Sequence, residues 1–226
     1  MTATATATNM EETVVSAKRI SQSATTVARS INVIDADTLA TTRHTHINEA
    51  MQRIAGAWIS RGNGQEHLTA IRSPVLTGAG SCGAYLMMQD GISLRAPGFC
   101  NVNELFESTS ELAEGIEVLK GPGSHIYGSN ALHGAVNVIT PAVEPGVNRI
   151  RFDAGPHDYF RTRYSFSNQT TRLETSGTTA GGYKDDSGFD QQKLLLKFQG
   201  TKAITTLSYT NLNPVSYTHL TLPTKA

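Results

Sequence analysis

The sequence lacks an excess of charge of either sign. Lysine plus arginine total 19 and aspartate plus glutamate total 19, so the formal net charge is zero. Proteins that bind nucleic acids or anionic membrane surfaces carry a strongly basic field, and this balance excludes both classes. Charged residues make up only 17% of the chain, and the 20 glycines exceed average usage. This composition favours β structure with many turns.

The sequence also lacks a run of apolar residues long enough for a membrane-spanning helix. The uncharged stretch 73–89 is interrupted by one proline and three glycines, whereas a spanning helix needs about 20 predominantly apolar residues. Closed β-barrels are the other structure that can cross a bilayer. The first ten residues, MTATATATNM, have neither a cationic start nor an apolar core. We therefore expect a signal sequence to be encoded upstream of Met1.

Cysteine is scarce. Cys82 and Cys100 flank a glycine-rich loop and show no zinc-ligand spacing. If the chain is exported, the two residues are a disulfide candidate, and the bond would stabilise the fold by about 3 kcal/mol. If the chain stays in the cytosol, they are two buried thiols.

No residue pattern indicates catalysis or a cofactor. No serine lies in a G-x-S-x-G nucleophile elbow. The turn Gly121-Pro122-Gly123 lacks the Gly-Lys-Ser/Thr ending of a phosphate loop, and Pro122 cannot donate a backbone hydrogen bond. His44 and His46 have no carboxylate or cysteine cluster nearby, so we expect two solvated histidines rather than a metal site. The sequence predicts no enzyme, no metal and no cofactor.

Residues 1–29 are rich in threonine, alanine and serine and show no apolar periodicity, which predicts a flexible segment. One island, residues 11–17, is prone to form a β-strand. A single strand of this kind has no partner of its own and can pair with the exposed sheet edge of another protein.

Residues 30–142 have the pattern of a compact domain of strands and short helices. Strands are predicted at 31–34, 57–60, 68–71, 85–88, 115–119 and 135–139, and short helices at 36–40 and near Ser129. Ile47, Ala50, Met51 and Ile54 form one apolar stripe of a further helix, which Gly56 is expected to end. Trp58 is expected to pack in the core.

Residues 147–212 change to alternation with a period of two. In 159–168 one face carries Phe160 and Phe166 while the other carries Arg161 and Arg163, and 191–200 alternates in the same way except at Leu195. Strands of about ten residues with one apolar face are typical of transmembrane barrels. A half-buried strand of a soluble sandwich gives the same alternation, so periodicity alone leaves both open.

The last residues, 213–226, break this alternation and contain two prolines close together. They resemble translated sequencing-adapter DNA. We therefore predict that 213–226 is a non-native tail and that the reading frame is truncated there.

The run IEVLKGPGSHIYGSNALHGAVNVITP, residues 116–141, resembles the most distinctive motif of the plug domain of TonB-dependent outer-membrane receptors. The pattern is a strand, a basic residue with Gly-Pro, a Tyr-Gly turn, a small-residue segment and an apolar strand. The matching residues are Ile116, Glu117, Val118, Lys120, Gly121, Pro122, Tyr127, Gly128 and Gly134.

Weaker matches precede this motif in the same order as in the family. Residues 12–17 resemble the TonB box, and residues 48–56 and 90–92 resemble the plug helix and the Asp-Gly turn. Ala55 replaces a usual proline, and Ser73 replaces a usual glycine, which predicts a turn built differently there. The TonB-box residues are Glu12, Thr13, Val14, Val15, Ser16 and Ala17.

The resemblance implies an α+β plug domain, a small mixed sheet with short helices, followed by about five antiparallel strands of an incomplete transmembrane β-barrel. It implies an importer in the outer membrane of a Gram-negative bacterium, in contact with lipid, coupled to TonB and most often specific for a ferric siderophore. It also implies that loops near 73–83 and 95–101 approach the substrate, and that Glu117 and Lys120 are structural. The alternative is a soluble periplasmic or secreted ligand-binding module with a β-sandwich.

Overall fold

The computed structural model describes residues 13–14, 22–23, 30–61, 67–73, 85–94, 108–184 and 187–214. Within these ranges the chain forms a mixed-sheet domain, residues 30–142, and a C-terminal sheet, residues 147–214. No helix in the described ranges is long and apolar enough to cross a membrane.

The first nine strands that the structure describes are β1 (Thr13–Val14), β2 (Gln22–Ser23), β3 (Ser30–Ile34), β4 (Ala57–Arg61), β5 (His67–Ile71), β6 (Tyr85–Gln89), β7 (Ile92–Ser93), β8 (Gly115–Lys120) and β9 (Gly134–Ile139). The mixed-sheet domain is built around a five-stranded sheet with the strand order β3-β8-β9-β6-β7. Strands β6 and β9 are parallel, and the other neighbouring pairs are antiparallel. Strands β4 and β5 form a separate two-stranded sheet, as do β1 and β2.

Among the described residues, three short α-helices connect these strands: α1 (Ala36–Thr42), α2 (Ile47–Met51) and α3 (Ser124–Tyr127). Two 3-10 helices, Ser110–Leu112 and Ser129–Ala131, also lie between strands, and the second occupies the position of the helix predicted near Ser129. Asp35 begins α1 by accepting a hydrogen bond from the amide of Thr38, and His46 begins α2 in the same way through the amide of Asn48. The predicted apolar stripe of α2 is confirmed, because all four of its residues are buried.

The expected end of this helix is wrong. α2 ends at Met51, and the backbone continues in single turns, in which the amide of Ile54 donates to the carbonyl of Met51. Gly56, with a φ of +85°, lies at the entry to β4 instead. The turns keep Ile54 on the buried side without a continuous helix.

The core lies on both faces of the five-stranded sheet. One cluster joins α1, α2 and the strand residues Ile116, Val118 and Met87. A smaller cluster on the opposite face contains Leu119 and Met88. Because neighbouring residues of a strand point to opposite faces, β8 and β6 supply apolar side chains to both clusters.

The burial of three aromatic side chains differs from the expectation. Trp58 is 58% exposed, whereas the neighbouring Ile59 is 4% exposed. Residues of β4 alternate between two faces, and only the face of Ile59 packs on the core. His44 and His46, expected to be solvated, are both buried.

The C-terminal sheet contains five antiparallel strands in sequence order and is not closed. The strands are β10 (Val147–Gly155), β11 (Tyr159–Ser167), β12 (Thr171–Ala180), β13 (Phe189–Gln199) and β14 (Ile204–Pro214). Asn213 and Pro214 pair with Asp190 and Phe189. β14 therefore runs two residues into the predicted tail 213–226, and the expectation that the tail continues no strand is wrong at these two residues. The non-native origin of the tail stays a prediction.

The C-terminal sheet buries its polar face and exposes its apolar face. Buried side chains include Arg161, Glu174, Lys193 and Lys197, and Phe189 and Leu195 are the buried apolar exceptions. The opposite face exposes Ile150, Phe152, Phe160, Leu194, Phe198, Leu207 and Tyr209. A soluble sandwich buries its apolar face, so this inverted arrangement opposes the sandwich interpretation.

Candidate functional site

The motif 116–141 forms the centre of the mixed sheet. Strands β8 and β9 pair along their whole length, with Lys120 opposite Gly134. A β-carbon on Gly134 would fall well inside contact distance of the Leu119 carbonyl oxygen, so the approach of the two backbones requires glycine here. Gly128 has φ +87° and ψ −173°, a region open almost only to glycine.

The remaining motif residues divide between sheet and turn. Glu117 is buried, and Asn137 donates to its carboxylate over 3.4 Å. Ile116 and Val118 fill the larger core, while Gly121 and Pro122 make the turn after β8 and Tyr127 ends α3. The motif is therefore a framework for the fold.

Lys120 ties this framework to the turn before β4. Its ammonium donates to the carbonyl of Ala55 over 2.9 Å. Partial burial and the neighbouring Arg72 lower the pKa of Lys120. Arg72 itself has a φ of +48° and donates to the hydroxyl of Ser30. The positive φ of this turn therefore lies at Arg72, the residue before Ser73.

Lys193 of β13 makes a deeply buried contact between the C-terminal sheet and the mixed-sheet domain. Its ammonium donates to the carbonyl of Ser108 over 2.6 Å and lies 2.5 Å from a carboxylate oxygen of Glu111. The two side chains are 1% and 7% exposed. This is a buried ion pair with a further hydrogen bond, a geometry in which loss of one partner is costly.

Lys197 makes a second contact four residues along the same face. Its ammonium lies 3.1 Å from a carboxylate oxygen of Asp90 and donates to the carbonyl of Thr140 over 3.1 Å. Asp90 also accepts from the amide and hydroxyl of Thr140. Asp90 and Gly91, both with positive φ, form the hairpin turn between β6 and β7, as the Asp-Gly pair predicts.

Arginines of β11 bind backbone carbonyls of the mixed-sheet domain. Arg161 donates to the carbonyl of His44 over 2.8 Å, and Arg163 donates to the carbonyls of Glu111 and Leu112. Arg163 also forms an ion pair with Glu174, which is fully buried. These guanidinium groups donate hydrogen bonds to backbone carbonyls at the ends of short helical turns, where carbonyls have no partner within the helix.

Burial and charge shift the pKa values of two groups at this boundary. Burial lowers the pKa of His44 from 6.5 to about 4; Glu111 opposes the shift, and Arg161, Lys193 and Arg163 add to it. Burial acts to raise the pKa of Glu111, but Lys193 and His44 outweigh it, and the pKa falls to about 2. At neutral pH the site therefore holds a neutral imidazole beside a charged carboxylate.

A cavity of about 340 Å³ lies beside these contacts. It is bounded by α1, by the turns around Glu111 and Pro141, and by the inner faces of β10, β11 and β12. Arg43, the residue that follows α1, crosses the margin of this cavity to form an ion pair with Asp153 of β10 over 3.0 Å.

Several residues singled out in the sequence lie outside the described part of the chain. Cys82, Cys100 and most of the loops at 73–83 and 95–101 lie outside the described residues. Of the TonB box, only Thr13 and Val14 are described, as β1 paired with Ser23 and Gln22. The coupling segment and the disulfide stay predictions.

The interface residues on the C-terminal sheet could be recognised from the period-two pattern, but their partners could not. Glu111 and Ser108 lie in a turn with no periodic signal and are brought to Lys193 only by the fold. Among the residues that the structure describes, no group of three or more His, Cys, Asp or Glu side chains could hold a metal ion.

A protein-family model described as TonB-dependent Receptor Plug Domain matches residues 23–135. Three similar solved structures cover most of this chain. They are the pyoverdine outer membrane receptor FpvA from Pseudomonas aeruginosa PAO1 (17% identity, 87% of this chain and 29% of that chain, TM-score 0.63), the ferric-catecholate import receptor Fiu from E. coli K12 (20%, 88% and 29%, 0.61) and the alcaligin outer membrane receptor FauA from Bordetella pertussis (15%, 89% and 35%, 0.63).

At these identities the structures establish the fold, a plug domain followed by part of a β-barrel wall, and this chain spans 35% or less of each of their lengths. The mixed-sheet domain is thus the plug, and the C-terminal sheet is the wall against which it packs. The family is one of receptors and transporters rather than enzymes. The chain belongs to the TonB-dependent receptor plug domain family.

Proposed function

We propose that this chain is the coupling segment, plug and first wall strands of an importer in the outer membrane of a Gram-negative bacterium. The proposed substrate class is a ferric siderophore, and the proposed energy source is TonB. The names of the similar receptors, which refer to pyoverdine, ferric catecholate and alcaligin, support the substrate class. The matched plug domain supports the energy coupling.

The observation that carries this proposal is the inverted C-terminal sheet. Its exposed face is apolar and suits lipid, and its buried face meets the plug through Lys193, Lys197, Arg161 and Arg163. Contacts of this kind can be replaced by water when the plug moves. Opening an apolar interface would instead expose apolar surface to water, and no new interaction with water would offset that cost in free energy.

The proposed route of force begins at the TonB box. A strand at residues 12–17 would pair with a strand of TonB by β-augmentation. Pulling would reach the plug at Ser30, where β3 begins at the edge of the five-stranded sheet opposite Lys120. An edge strand has hydrogen bonds to one neighbour only, so β3 is the first element of the sheet to bear the load.

Growth on iron sources tests the import function. A strain that lacks its own siderophore receptors would receive the full-length receptor gene and be supplied with iron as hydroxamate, catecholate or citrate complexes. The proposal predicts growth on at least one complex, and only when TonB is present. Growth that is the same with and without TonB, or on none of the complexes, contradicts the import function.

Val14→Pro tests the assignment of the TonB box, because proline removes a backbone donor that strand pairing needs. We expect uptake to be lost while the substrate still binds at the cell surface. Val14 also pairs with Gln22 in β1–β2, so Gln22→Pro is the matched control that breaks this pair and leaves the box intact. Unchanged uptake by Val14→Pro, or equal loss in both variants, contradicts the assignment.

A further inference from the structure

His44 is a buried titratable group that the proposed import function does not use. It lies in the connection between α1 and α2 and is 3% exposed. Its Nε2 atom lies 3.4 Å from the hydroxyl of Ser110, and its backbone carbonyl accepts a hydrogen bond from Arg161 of the wall over 2.8 Å. The imidazole is therefore enclosed at the boundary between plug and wall.

The charges nearest to this imidazole are mostly positive. Three cations of the wall disfavour a further positive charge on the ring: Arg161 and Arg163 of β11 and Lys193 of β13. Glu111 favours such a charge, but its carboxylate already accepts a hydrogen bond from the ammonium of Lys193. A proton on His44 would add another cation to this group in a buried place, where repulsion between like charges is strong.

The other charged groups at the boundary do not balance that proton. Asp153 is paired with Arg43. Glu174 is shared between Arg163 and Arg172. The cavity beside His44 adds side chains that are exposed or half-buried, so that water screens their charges: Asp37, Glu114, Glu144, Arg149 and Arg151.

We propose that His44 is an acid-sensitive latch between plug and wall. Protonation of its imidazole weakens the hold of β11 and β13 on the plug, so the gate loosens in acidic surroundings and TonB has less work to do. The proposal rests on the gating role of the plug in the proposed function. It adds the proton as a second trigger of the same gate.

The direction of the response follows from the burial of the ring. Burial, which Glu111 opposes and the three cations of the wall reinforce, lowers the pKa of His44 to about 4 in the closed state, against 6.5 for a solvated imidazole. Separation of plug and wall lets water reach the ring and restores the higher pKa. The latch is therefore fully effective above pH 6.5 and weakens as the pH falls toward 4. Between pH 7 and pH 5 the equilibrium constant for separation should rise about twentyfold.

The ion pair beside His44 does not titrate in the same range. Burial acts to raise the pKa of Glu111, but Lys193 and His44 lower it to about 2. The pair of Lys193 and Glu111 thus stays ionised at pH 5. A response between pH 6.5 and pH 4 is expected to report one proton on His44.

Leakage through the full-length receptor measures the latch without TonB or substrate. The purified receptor would be reconstituted in liposomes loaded with a small sulfonated dye whose fluorescence does not depend on pH. Because efflux is proportional to the fraction of receptors with a separated plug, it should be about twentyfold faster at pH 5 than at pH 7. The rise should not exceed about tenfold per pH unit, the limit for one proton, and should level off below about pH 4.

Three variants separate His44 from other titrating groups. His44→Gln keeps a polar side chain but cannot be protonated, so its efflux should change less than about twofold between pH 7 and pH 5. His157→Gln, in the exposed turn between β10 and β11, is the matched control and should keep the full response. His44→Lys introduces a cation and should leak already at pH 7, with little further response to acid.

Three results would overturn the latch. One is equal efflux at pH 7 and pH 5 from the unmodified receptor, and another is the same pH response in His44→Gln. The third is a rise that begins only below about pH 4 or exceeds about tenfold per pH unit, as titration of several carboxylates would produce. The pH profile of the unmodified receptor decides this third point even where a variant at position 44 does not fold. Failure of the import function is distinguishable, because growth on iron complexes decides it and the leak needs neither TonB nor a siderophore.

Discussion

Replacing Lys193 by methionine should loosen the plug from the wall more than any exposed substitution. Methionine keeps the length and much of the volume of the side chain but removes the ammonium. Glu111 would be left as a buried carboxylate without its cation, and the carbonyl of Ser108 would lose its donor. Breaking one partner of a buried ion pair costs about 3–5 kcal/mol.

Because Lys193 and Glu111 form one ion pair, the effects of substituting them on stability should be strongly non-additive. Glu111→Leu in the Lys193→Met background removes the stranded carboxylate, and a buried ion pair replaced by apolar residues is often close to neutral in stability. The loss of stability in the double variant should therefore be smaller, by about 1–3 kcal/mol, than the summed losses of the two single variants. Residues in contact are coupled in this way.

Native-state hydrogen exchange of the full-length receptor measures this effect locally. The free energy for opening of residues 108–120 should fall by about 3–5 kcal/mol in Lys193→Met, which accelerates exchange by roughly two to four orders of magnitude. Lys202→Met, exposed in the turn after β13, is the control and should change opening by less than about 0.5 kcal/mol. The reasoning is refuted if Lys193→Met lowers the opening free energy of residues 108–120 by less than about 1 kcal/mol. It is also refuted if the effect of the double variant equals the sum of the effects of the single variants.

Two further substitutions test the framework and its pH dependence. Gly134→Ala should lower the stability measured by thermal unfolding by about 1–3 kcal/mol, because the two strand backbones must separate. The control Gly177→Ala, which has open space around it, should change stability by less than about 0.5 kcal/mol. Equal effects of the two substitutions contradict the close approach of the strands at Gly134. The pKa of His44 is about 4 in the folded protein and 6.5 in the unfolded protein. The contribution of this group to stability is therefore complete above pH 6.5, and roughly 3 kcal/mol of stability is lost as the pH falls to 4. His44→Gln should flatten the stability profile between these values, while His157→Gln, in an exposed turn, should not; a profile unchanged by His44→Gln contradicts the buried neutral imidazole.

The features that sequence predicts best are those fixed by neighbouring residues. The Asp90-Gly91 pair specifies its turn because both positions have positive φ. The alternation in β11 and β13 specifies two faces, since side chains of a strand point in opposite directions in turn. Which face is buried could not be read from the same alternation, because a sandwich and a barrel wall differ only in what covers each face.

The failures concern burial by distant parts of the chain. His44 is covered through contacts that include Arg161, 117 positions away, and no local pattern announces that contact. Trp58 lies on the side of a two-stranded sheet that no described element covers, and its size alone suggested the core. Arg72 shows the same limit in a turn: the missing glycine at 73 indicated a changed geometry but not which residue would take the positive φ.

A spin-label scan along β13 in the full-length receptor, reconstituted in lipid, tests the inverted wall most directly. Single nitroxide labels at 189–199 would be read by their accessibility to oxygen, which concentrates in the bilayer. The account predicts high accessibility at Leu194, Leu196 and Phe198 and low accessibility at Gln191, Lys193, Leu195 and Lys197, in strict alternation. Uniform accessibility along the strand, or the reverse alternation, would contradict a wall whose polar side holds the plug.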